Sequence, residues 1–204
     1  MLYLFVTVIL FLTELLYFRI ANKYNIIDKP NERSSHNYIT IRGGGIIWWV
    51  AALLYMLFNS SEMSGWFLTG ITLMAGISLW DDVKGLGQKV RLLAHLVAMT
   101  CAFILAGAFG MYPWWAIALG YIVFIGIVNA YNFMDGINGI TGLYSIAVLA
   151  SLQYVNLSYG NFVHPDLIWY PMIASAVFLF FNFRKRARCF AGDVGSVTIA
   201  FWIV

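Results

Sequence analysis

Charge is what this sequence has least of. Nine acidic and twelve basic residues make up only 10% of its 204 residues, and 62% are hydrophobic. A soluble globular domain carries about 25% charged and about 45–50% apolar residues. The shortage of charge excludes an ordinary water-soluble domain and sets the class, a polytopic membrane protein. Cysteine is as scarce. Cys101, in an apolar run, and Cys189, in a basic loop, cannot build a disulfide framework and read as unpaired thiols. No Cys/His cluster has zinc-ligand spacing. The first apolar run lacks a basic leader and a small-residue cleavage site, and it carries Glu14. It therefore reads as a retained helix, not a signal peptide.

What is present is long apolar runs. They cover roughly Met1–Phe18, Gly44–Phe58, Trp66–Trp80, Val90–Phe109, Trp114–Ala130, Ile140–Val155 and Leu167–Phe183, and an eighth opens at Val197. Spanning hydrocarbon takes about 20 residues, so the shorter runs need extra turns from polar motif ends buried in protein. The expected fold is all-α, a polytopic transmembrane helix bundle of about eight spans, forming one transmembrane domain over residues 1–204. The eighth run stops at Val204 without a flank, so the chain is expected to be truncated at its C-terminus. The tryptophans Trp48, Trp49, Trp66, Trp80, Trp114 and Trp115 suit interfacial belts.

All twelve basic residues fall at three connections. Arg19, Lys23, Lys29, Arg33 and Arg42 follow the first run, Lys84, Lys89 and Arg91 the third, and Arg184, Lys185, Arg186 and Arg188 the seventh. Positive residues mark the cytoplasmic side, and even numbers of spans separate these connections. The N-terminus is then expected outside.

Four polar clusters share the expected cytoplasmic face: "DKPNERSSHNYITIRGGG" (28–45), "DDVKGLGQKVR" (81–91), "NAYNFMDGINGITG" (129–142) and "RKRARCFAGDVGS" (184–196). Polar loops explain the cations. They do not explain Asp81 and Asp82, adjacent carboxylates at the hydrocarbon boundary, where ionisable groups are costly and usually functional. Carboxylates with an Asn carbonyl make a hard, oxygen-rich set suited to Mg²⁺, with Mn²⁺ the alternative. A divalent cation beside Arg and Lys points to phosphate chemistry. The glycines of residues 43–45 and 192–195 are expected to offer backbone N–H groups to phosphate at helix starts. His36 reads equally well as a loop histidine, and His95 as a residue hydrogen-bonded within the bundle.

The ordered set "D-x-P-x-x-RSSH…RGGG", "DD…R", "N-x-x-NFMDGING" and "F-x-GDVGS" resembles the polyprenyl-phosphate N-acetylhexosamine-1-phosphate transferases, glycosyltransferase family 4, over about residues 28–204. The "RSSH…RGGG" form is closest to the bacterial branch that initiates O-antigen. The resemblance implies about ten or eleven spans in the full protein. It implies transfer of N-acetylhexosamine 1-phosphate from a UDP-sugar to undecaprenyl phosphate, with release of UMP, on the cytoplasmic face of the bacterial inner membrane. Mg²⁺ would be held by Asn132 and Asp193. Asp81, Asp82 and Asp193 would be catalytic, the first two orienting or activating the lipid phosphate. Substrates would be bound by Arg33, Ser34, His36, Arg42, Arg91, Asn129, Asp135, Asn138 and Phe190. A homodimer is expected, and no nucleic-acid partner.

The sequence also departs from the family. Thr40-Ile41-Arg42 stands where Thr-Pro-Arg is common, and the family's last cytoplasmic loop, which helps to bind the sugar nucleotide, is absent from these residues. Two other classes make different demands. An intramembrane prenyltransferase should show two D-x-x-x-D-type clusters. A transporter should place its polar groups near mid-helix, whereas a scaffold would tolerate loss of the aspartates.

Overall fold

The computed structural model describes residues 1–30, 38–59 and 65–204. Its elements are α1 (Leu2–Lys23), β1 (Ile27–Asp28), β2 (Thr40–Ile41), α2 (Ile46–Phe58), α3 (Gly65–Lys84), α4 (Gln88–Leu105), α5 (Ala108–Met111), α6 (Trp114–Met134), α7 (Ile140–Tyr159), α8 (Pro165–Asn182) and α9 (Gly192–Ile203). Each apolar run becomes helix, the fourth breaking into α4 and α5, and the described residues hold two very short strands besides. The polar motifs are drawn into the helix ends. α3 continues through Asp81 and Asp82, α6 through Asn129 and Asn132, and α9 begins at Gly192 rather than Val197.

Local chemistry sets the ends. Pro113 precedes the first turn of α6, and Pro165 opens α8 behind a His164 ring that accepts from the Asp166 amide at 3.3 Å. Proline costs little there, because a first-turn amide has no helical partner. Gly139, at φ 90°, makes the turn into α7.

Among the described residues four helices are long and apolar enough to cross a membrane: Leu2–Lys23, Gln88–Leu105, Trp114–Met134 and Ile140–Tyr159. α2 and α9 are shorter, at 13 and 12 residues. α9 is the hub. Val194 through Trp202 are all buried, and the helix packs on α2, α3, α6 and α7. α8 fills the other half of the core with Tyr170, Ala174, Phe178 and Phe181. The tryptophans divide. Trp66, Trp80, Trp114 and Trp115 are exposed, but Trp48 is wholly buried, its ring on Phe178 and its indole N–H on Ser175 at 2.9 Å. Trp48 is therefore a core residue and not part of a belt, because it lies on the face of α2 turned toward α8.

β1 and β2 pair antiparallel, Ile27 with Ile41 and Asp28 with Thr40, and Ile41 also bridges Cys189. This small seam brings the loop before α2 against the loop before α9.

Candidate active site

Two glycine-rich loops form the floor. The Phe190 amide donates to the Ile41 carbonyl at 2.8 Å, Gly44 to Phe190 at 2.9 Å, and Gly45 to Ala191 at 3.0 Å. A Cβ on Gly45 would lie 2.1 Å from the Gly195 Cα, and one on Gly192, itself at φ 70°, 2.8 Å from the Gly43 nitrogen. The glycines thus let two backbones touch. The expectation that these amides receive phosphate does not hold for Gly44 and Gly45, whose N–H groups are spent on the facing loop.

The amides opening α9 are also taken. Asp82 accepts from Asp193 and Val194, each at 3.0 Å, so one carboxylate occupies the positive end of the helix. Its side chain is fully buried. Successive residues on a helix point about 100° apart, and Asp81 accordingly turns to the α3–α4 loop, where it accepts from the Leu86 amide. The neighbours have different duties.

Two guanidiniums join the carboxylates. Arg42 Nε lies 2.7 Å from Asp82 and its Nη2 3.3 Å from Asp193; Arg91 Nη1 lies 2.6 Å from Asp81 and 3.3 Å from Asp193. Asp193 is the hinge of the network, touched by both cations. Three carboxylates face two cations, leaving an excess of one negative charge. Each arginine is about one-third exposed, while Asp81 and Asp193 are mostly covered. The cations therefore line the opening and the acids the base.

The "NFMDGING" segment forms a wall. Asn132 Oδ1 accepts from Ser196 Oγ at 2.8 Å, tying α6 to α9. Asp135 accepts from Thr141 at 2.5 Å, and burial, partly offset by that bond, pushes its carboxyl up to about 6. Asn138 donates to the Arg184 carbonyl at 2.8 Å. Asn129, half-buried, sits one turn before Asn132 on α6, and Phe190 lies partly buried in the floor. The structure thus gathers Arg42, Asp81, Asp82, Arg91, Asn132 and Asp193, and sets Asp135, Asn138 and Phe190 in adjoining loops. Arg33, Ser34 and His36 lie outside the described residues.

Sequence reading missed two organisers. Asn182 accepts from the Gly139 amide at 2.6 Å and donates to the Cys189 carbonyl at 2.8 Å, joining the two site loops through one amide. Ser196, inside a quoted motif, was given no role. A lone Asn closing the run before "RKRAR" was the available signal for the first.

Residues 64–204 match the family model of glycosyl transferase family 4. The chain belongs to that family. A Bacillus subtilis (strain 168) protein named as a probable undecaprenyl-phosphate N-acetylglucosaminyl 1-phosphate transferase is 28% identical over 200 residues, covering 91% of this chain and 55% of that protein. Proteins of Yersinia pestis and Escherichia coli (strain K12), both named as undecaprenyl-phosphate alpha-N-acetylglucosaminyl 1-phosphate transferases, are each 25% identical over 91% and 98% of this chain. The chain spans 56% and 59% of their lengths. The family match covers three of the four motif clusters, all but the one at 28–45.

The site of this family 4 chain suits a hard divalent cation. Its donors are oxygens and its net charge is negative. Among the described residues no group of three His, Cys, Asp or Glu side chains is placed to hold a metal. A divalent ion bound here would have to draw on one or two of these carboxylates and complete its shell with water and substrate oxygens.

Proposed function

We propose that this protein transfers N-acetylhexosamine 1-phosphate from a UDP-sugar to undecaprenyl phosphate and releases UMP. The carrying observation is the convergence of Arg42, Arg91, Asp81, Asp82 and Asp193, contributed by segments as much as 151 residues apart, on one end of the bundle. Soluble-protein logic does not favour so many charges beside apolar helices; phosphate chemistry does. The names of the relatives support the same acceptor and favour N-acetylglucosamine as the sugar.

Each residue has a task in this reading. The exposed edges of Arg42 and Arg91 bind phosphate oxygens of both substrates. Asp82, locked on the start of α9, holds Arg42 in place. Asp81, less tightly held, orients the lipid phosphate. Asp193 and Asn132 would hold Mg²⁺, which when bound neutralises phosphate charge. Phe190, Asn129, Asp135 and Asn138 frame the nucleotide. The protein would sit in the bacterial inner membrane with eight spans over these residues, its N-terminus outside and the site on the cytoplasmic face, as a homodimer. The first membrane step of O-antigen or a related envelope glycan is the pathway role that fits.

The test uses the protein in membranes, with any residues that follow Val204 included. Undecaprenyl phosphate, Mg²⁺ and a panel of UDP-N-acetylhexosamines are supplied and UMP is measured. Lipid-dependent release that stops with EDTA is expected. No release with any donor, from folded protein, would sink the reading and make prenyl transfer the next assay.

A further inference from the structure

Glu14 is the one carboxylate in the body of α1, and it is completely buried. No cation pairs with it among the described residues. Its Oε1 accepts from the Cys189 thiol at 3.4 Å, and its Oε2 has no hydrogen-bond partner there. An intramembrane acid kept under these conditions is costly, and apolar packing alone would be better served by leucine. Its surroundings give the reason. Glu14 Oε1 and Cys189 Sγ together cover Gly44, at 2.8 and 2.6 Å from where a Cβ would stand. One turn further along α1, Tyr17 donates to the Arg42 carbonyl at 2.7 Å and lies against Gly43, 2.3 Å from a Cβ there. α1 contributes no group to the charge cluster. It instead grips the backbone that carries Arg42, and through Cys189 the backbone that leads to Asp193.

We propose that Glu14 is a positioning residue. By holding Cys189 against Gly44 it keeps the seam between the 42–45 and 189–193 segments in the register that lets Arg42 reach Asp82 and Asp193 together. The effect on turnover rests on the transferase reading above; the effect on the seam does not.

Two readouts separate them. Hydrogen exchange at the Gly44, Gly45 and Phe190 amides reports the seam whatever the reaction. Glu14→Leu should speed their exchange at least tenfold while amides in the middle of α8 stay unchanged. In the transferase assay the same variant should lose at least tenfold in kcat and need several-fold more Mg²⁺ for half-maximal rate, with little change in the KM for undecaprenyl phosphate. Glu14→Gln, which still accepts from the thiol, should recover at least a third of the rate and slow seam exchange again. If Glu14→Leu does not fold, Glu14→Asp, with the same group one methylene short, should show a milder form of both effects. A folded variant of either kind with wild-type seam exchange and wild-type Mg²⁺ dependence overturns the proposal. Faster seam exchange in a protein that releases no UMP with any donor would keep the positioning role and reject the transferase reading.

Discussion

The two ends of this bundle bury polar groups in opposite ways. At the end where α1 and α8 begin, Tyr3 donates to Asp166 at 2.6 Å, and Asn156 both donates to and accepts from Val163, at 2.9 and 3.1 Å. Each group there is matched to a single partner, Tyr3 to Asp166 and Asn156 to Val163, and the pairs are closed. At the end where α1 and α8 finish, Arg42, Arg91 and three aspartates form an open network of charges drawn from distant segments. Closed pairs give stability, whereas a shared, incompletely neutralised set leaves capacity for a ligand. Buried polarity alone did not distinguish a site from a scaffold here; sharing of partners did.

The comparison can be broken first at Asp193. Asp193→Asn removes the anion common to both guanidiniums and should reduce UMP release at least a hundredfold, as losses of about 2.7–4 kcal/mol at charge-stabilising positions do, while near-native melting is retained. Loss of folding in step with activity would instead make the cluster a structural brace. Arg42→Lys comes next. A single ammonium cannot span Asp82 and Asp193 as a planar fork does, so a drop of about tenfold to a hundredfold in kcat/KM is expected; equal activity would show that only charge counts.

The opposite end should respond the other way round. Tyr3→Phe should lower thermal stability by about 1 kcal/mol, the worth of one hydrogen bond, and leave the rate per folded molecule unchanged. A rate defect there would erase the contrast. The smallest effect is at Asp135, whose carboxyl titrates near 6 by burial. A raised acid stabilises the fold fully below its unfolded value of about 3.9 and loses that contribution as pH rises through about 6. Wild-type melting should therefore fall more between pH 5 and 7.5 than that of Asp135→Asn. Parallel melting curves for the two would mean that Asp135 is ionised without penalty.

Much of this was legible beforehand. Apolar runs gave the helices, because hydrocarbon length and backbone satisfaction leave few alternatives. The motif clusters gave Asp81, Asp82, Arg91 and Asp193 as neighbours. What could not be read is how neighbours divide their work. Asp81 and Asp82 look equivalent in sequence, yet only Asp82 occupies the start of α9. The glycines signalled close approach, but not that a second backbone, rather than a phosphate, would take their amides. Glu14 and Cys189, 175 residues apart, have no local pattern that pairs them.

The seat of Asp82 on α9 also bears on biosynthesis. A chain made from its N-terminus presents Arg42 before α3, and Arg91 ten residues after Asp81, so both ion pairs can form before α5 to α9 are made. The amides of Asp193 and Val194 arrive 111 and 112 residues after Asp82. Until then the Arg42 guanidinium is the one of these partners already made. Asp82 therefore gains its two backbone donors only when α9 is made, however early its guanidinium partner is available.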